Sequence, residues 1–135
     1  MKNFIIIILC FFIFPVLSWA AENKALQTVE YWQGQIIENP EKALNYFNLG
    51  VVFQNKKLFN LAISNYNKVI ELKSPLTPVA LYYQALAYEK LNQIDKTKTA
   101  LTRIKTETLS PELKAQILAY KNKIFTGSFN CAVFS

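Results

Sequence analysis

Side chains able to do covalent or acid-base chemistry are scarce in this sequence. There is no histidine, one aspartate at Asp95, and glutamate only at positions 22, 30, 38, 41, 71, 89, 107 and 112. Without an imidazole, histidine-based triads and general bases are excluded, and Cys10 and Cys131 are too few for the usual zinc sites. A paired-carboxylate hydrolase needs two acids held close with one desolvated, and no pair here is spaced to achieve that. Gly34, Gly50 and Gly127 stand far apart, so no glycine-rich loop can cradle a phosphate. The expectation is a chain with no catalytic residue, no metal site and no cofactor. What it has in quantity is contact chemistry: seven Tyr, ten Phe and two Trp, and 15 basic residues against nine acids. Lys90, Lys96, Lys98, Arg103 and Lys105 crowd one stretch. With a single arginine and no interleaved aromatics, that stretch reads as a solvated helix face rather than a nucleic-acid site, and allows at most weak contact with an anionic envelope surface.

The elements that must carry these contacts begin with a distinct leader. Lys2 is followed by an apolar run from Phe4 to Phe14, then Pro15, then Ser18-Trp19-Ala20. A basic start, an apolar core of that length and small residues at 18 and 20 predict a secretory signal over 1–20 with cleavage after Ala20. Cleavage would leave Cys131 without a partner cysteine and carry the mature protein out of the cytoplasm, to a bacterial periplasm. If uncleaved, the same stretch is near the length that spans a bilayer and would anchor the chain in the inner membrane as a structural subunit of an envelope complex.

A period of about 35 residues organises the remainder. Pro40, Pro75 and Pro111 are 35 and 36 positions apart, each preceded by a capping type of residue, Asn39, Ser74 and Ser110. Between the first two prolines lie Tyr46, Leu49, Gly50 and Phe53, then Ala62, Tyr66, Val69 and Leu72 at helical spacing. Small residues at 50 and 62 allow two antiparallel helices to cross closely, with aromatics filling the space beside them. A shift of 35 maps Gly50 to Ala85, Phe53 to Tyr88, Ala62 to Thr97, Tyr66 to Leu101 and Val69 to Ile104, while Leu49 becomes Gln84 and Tyr46 becomes Leu81. Six helices are expected, at about 22–38, 41–55, 58–72, 77–91, 94–107 and 111–125.

This pattern resembles the tetratricopeptide repeat. The resemblance implies an all-α, helical-hairpin solenoid of two full repeats flanked by single helices, occupying 21–125, with 126–135 as a frayed tail. It further implies a non-enzymatic adaptor or scaffold whose first helices line a concave groove that holds a peptide or helix of another protein. The groove positions would be Leu44, Phe47, Asn48, Val51, Gln54 and Asn55 in the first repeat. In the second they would be Val79, Tyr82, Tyr83, Leu86, Glu89 and Lys90. Family members that clasp a C-terminal carboxylate carry Lys and Asn at several of these places, and the two most important in the first repeat are here Phe47 and Val51. The groove is therefore expected to take hydrophobic anchors, with Phe47, Asn48, Val51, Asn55, Tyr82, Tyr83, Leu86 and Lys90 as contacts.

Overall fold

The computed structural model describes residues 28–127. The leader, Cys131, residues 22–27 and the tail from 128 onward lie outside the described residues. Within them six helices follow in order: α1 Val29–Glu38, α2 Ala43–Asn55, α3 Phe59–Glu71, α4 Thr77–Lys90, α5 Ile94–Thr102 and α6 Pro111–Thr126. No strand occurs among the described residues. Each helix packs mainly on its sequence neighbours, so α2–α3 and α4–α5 form two hairpins with α1 and α6 at the ends. This is the all-α hairpin solenoid that the resemblance implied.

Local chemistry accounts for the boundaries. At α6, the Ser110 hydroxyl accepts from the Leu113 N–H at 3.4 Å, Pro111 occupies the first turn and Glu112 meets the positive end of the helix dipole. Thr28 caps α1 in the same manner, accepting from Tyr31 N–H at 3.2 Å. The turns inside the two hairpins are one turn written twice. Lys57 (φ 61°) and Asn92 (φ 58°) stand 35 positions apart in the left-handed region. The amides that follow, of Leu58 and Gln93, donate to the carbonyls of Phe53 and Tyr88, both at 2.9 Å. That bond pattern is a Schellman closure, which satisfies carbonyls left open at the end of a helix.

Two boundaries depart from expectation: α1 begins at Val29, with Thr28 extended as its cap, rather than near 22, and α5 ends at Thr102, not 107. Thr97, Thr99 and Thr102 turn their hydroxyls back onto the carbonyls of Gln93, Asp95 and Thr99, at 3.1, 2.9 and 2.8 Å. Such threonines weaken a helix, and the chain leaves it to bury Ile104 before reaching Ser110. Residues 103–109 therefore run as an irregular segment.

The core is built in two clusters. Leu49, Phe53, Ala62, Tyr66, Val69 and Ala80 form the first, and Leu81, Ala85, Ala100, Leu101, Ile104, Ile117 and Ile124 the second. Gly50 sits at the first crossing, as expected, but it faces the ring of Tyr66 rather than Ala62. A Cβ on Gly50 would come within 2.5 Å of the Tyr66 Cε1. In α6, Ile117 and Ile124 are inward, whereas Leu118 is exposed. Polar side chains fasten unit to unit: buried Asn45 donates to the Gln35 carbonyl at 2.9 Å, and buried Gln84 donates to Asn67 Oδ1 at 2.6 Å. Gln84, which replaces a leucine of the first repeat, is thus satisfied by the preceding hairpin.

Candidate partner-binding face

The first helices of the two hairpins, α2 and α4, stand side by side, and aromatic rings run continuously from one to the next. Phe47 meets Tyr83 edge-on with ring centroids 5.2 Å apart, Tyr83 meets Tyr82 at 5.8 Å, and Tyr82 meets Tyr120 of α6 at 5.7 Å. These separations and near-perpendicular planes are the favoured geometry of aromatic pairs. Tyr66 supports the run from beneath, 5.9 Å from Phe47 and 6.0 Å from Tyr83. Its hydroxyl donates to Gln54 Oε1 at 2.9 Å.

Phe47, Asn48, Val51, Gln54, Val79, Tyr82, Tyr83, Leu86 and Glu89 are half-buried, while Leu44, Asn55 and Lys90 are exposed. None of the expected groove positions is sealed in the core. Phe47, Val51 and Tyr83 nevertheless back onto the first core cluster, and Tyr82 onto the second. The ring that touches Phe47 is Tyr83, not its repeat equivalent Tyr82, which reaches forward to α6. Asn55 and Lys90 end their helices, so they sit at one edge of this face.

Tyr120 was not singled out by the sequence reasoning. It falls outside the 35-residue period, and only its spacing from Ile117 and Ile124 marks it as inward. It donates its hydroxyl to Glu89 Oε2 at 2.8 Å, and Lys123 lies 3.6 Å from the other oxygen of the same carboxylate. Glu89 thereby ties α6 to α4. Burial raises the phenol pKa of Tyr66, with Tyr83 adding to it. Burial also raises Tyr120, helped by its bond to Glu89, and Tyr82 moves the same way through burial. The Tyr66, Tyr82 and Tyr120 phenols are therefore neutral at physiological pH. No cluster of three His, Cys, Asp or Glu able to hold a metal ion occurs among the described residues.

The fold and this face define a hairpin solenoid with an aromatic contact surface. Residues 79–107 match the family model for the tetratricopeptide repeat, a span that takes in nearly all of α4, all of α5 and the first part of the irregular segment. The match supports a tetratricopeptide-repeat member, and the same hairpin is built a second time at α2–α3. No curated protein matches the sequence. Repeats of this family serve contacts between proteins and are typically without catalytic activity.

Proposed function

We propose that the chain is an exported adaptor that holds a hydrophobically anchored segment of another protein against the α2–α4 face. Phe47, Val51, Tyr82, Tyr83 and Leu86 supply the apolar contact, and Asn48, Asn55 and Lys90 the polar positions around it. The observation that carries this reading is the ring run from Phe47 to Tyr120, accessible along its length and preorganised by edge-on contacts. Aromatics so held offer large contact area at little cost in side-chain entropy, which is why they tend to dominate binding energy. Export rests on Lys2, the apolar run and the small residues at 18 and 20. No described helix is long and apolar enough to cross a membrane.

The test is crosslinking and pull-down from envelope extracts with Tyr82→Ala, Phe47→Ala, Lys96→Ala and Lys98→Ala, each also measured by thermal unfolding. The aromatic variants are expected to lose capture while staying folded, and the two α5 lysine variants to retain it. Capture that survives both aromatic changes, or melting temperatures that collapse with them, overturns the assignment of this face. Amino-terminal sequencing of the native protein checks the export arm: a start at Ala21 supports release, and an intact Met1-Lys2 means a tethered protein.

A further inference from the structure

A cavity of about 430 Å³ opens between the end of α3, the start of α4 and the irregular segment after α5. Its size lies in the range of small-molecule sites. Ile70 and Leu81, with Pro75 and Pro78, give it apolar walls, while Lys73, Arg103 and Lys105 bring three cations to it. None of the three takes part in an ion pair among the described residues. Glu107 is the single acid among the lining residues. Two features of the backbone create this arrangement. The left-handed turn at Lys73 (φ 48°), closed by its N–H on the Ile70 carbonyl at 3.0 Å, swings the chain across the end of α3. The early end of α5 brings Arg103, Lys105 and Glu107 to the cavity instead of continuing a solvated helix.

The start of α4, a helix of 14 residues, also faces this cavity through Thr77 and Pro78. The Thr77 hydroxyl is buried and has no hydrogen-bond partner among the described residues.

We propose that this cavity binds a phosphate-headed amphiphile. The head group sits among Lys73, Arg103, Lys105 and the amino-terminal end of α4, and a short apolar body lies on Ile70, Leu81 and the two prolines. Arginine is suited to hold two phosphate oxygens at once, and the helix dipole adds attraction for the negative head. The apolar walls distinguish this site from one for inorganic phosphate, and the cations distinguish it from a simple greasy pocket. The site is separate from the aromatic face, and neither reading depends on the other.

The full chain is titrated by calorimetry with octyl phosphate, octyl glucoside and inorganic phosphate, all below micelle formation. Octyl phosphate is expected to bind saturably, at least tenfold tighter than inorganic phosphate, with octyl glucoside silent. Arg103→Ala combined with Lys105→Ala should weaken octyl phosphate at least tenfold without moving the melting temperature, since both side chains are exposed, while Lys114→Ala on α6 changes nothing. Equal binding of octyl glucoside or of inorganic phosphate, or full affinity in the double variant, overturns the proposal. Vesicles of phosphatidylglycerol and of phosphatidylcholine then separate the sources of the head group. Sedimentation with the anionic vesicles that the double variant loses supports a membrane lipid, and octyl phosphate binding without such sedimentation supports a soluble ligand.

Discussion

The two hairpins reach the same crossing with different volumes. In α2–α3 the smallest residue, Gly50, meets the largest buried one, Tyr66, whereas in α4–α5 the corresponding pair is Ala85 and Leu101, both fully buried. What one helix gains by a methyl group the other gives up by exchanging a ring for a branched chain. A further exchange, Ala62 for Thr97, adds a buried hydroxyl that is satisfied within its own helix at Gln93. Across this pair a smaller residue stands against a larger one and a larger against a smaller, so volume is balanced between partners rather than fixed in either side chain, as close packing of interiors requires.

Mixing the two solutions in one hairpin should have the largest effect. Gly50→Leu drives a side chain into the Tyr66 ring and is expected to cost about 3 kcal/mol or more, the upper end for overpacking. Gly50→Ala and Tyr66→Leu should each destabilise, and their combination recreates the Ala85–Leu101 pair. A double-mutant cycle by chemical denaturation should then show a recovery of about 1 to 3 kcal/mol relative to the sum of the singles. Strict additivity would mean that the two crossings are not equivalent.

Alkaline pH separates the two crossings by chemistry instead of volume. The Tyr66 phenol is raised in the fold, so its neutral form is favoured there. Its contribution is fully present below the unfolded phenol value near 10 and is lost as pH climbs above it, by up to about 1.4 kcal/mol per pH unit. Tyr120 adds the same sign. Denaturation between pH 9 and 11 should therefore show falling stability, with a shallower fall in Tyr66→Phe. Leu101 contributes nothing of this kind, and an unchanged slope in Tyr66→Phe would assign the alkaline loss elsewhere.

The smallest expected effect concerns the turns. Lys57 holds a left-handed conformation that Asn92 holds with less strain, because asparagine visits that region more readily. Lys57→Gly is expected to stabilise by about 0.5 to 1 kcal/mol, and Asn92→Lys to lose a comparable amount, each read as a shift of a few degrees in melting temperature. A loss of stability in Lys57→Gly would show that the lysine makes a compensating contact.

Much of this architecture was legible in the sequence because it repeats. The prolines at 40, 75 and 111, the small residues at 50 and 85 and the helical spacing around them gave the hairpins their number and order. The identity of Gly50's neighbour was not legible, since spacing specifies which helices meet but not which ring tilts into the gap. The end of α5 was missed because an apolar stripe continuing to Ile104 reads as helix, while the competition of Thr97, Thr99 and Thr102 for backbone carbonyls is invisible to periodicity. On the aromatic face, equivalence under the 35-residue shift paired Phe47 with Tyr82. The actual neighbour is Tyr83, one position further on, and Tyr120 belongs to a terminal helix that obeys no repeat.

Because each helix packs mainly on its sequence neighbours, nearly all contacts close short loops. A chain built this way has low contact order, so it is expected to fold fast and from whichever end first becomes available. Its stability behaves as a sum of junctions, in which loosening one junction frays the array outward from that point instead of melting it as a unit. Native-state hydrogen exchange would read this as a gradient, with α1 and α6 opening at lower free energy than the α3–α4 junction at the centre.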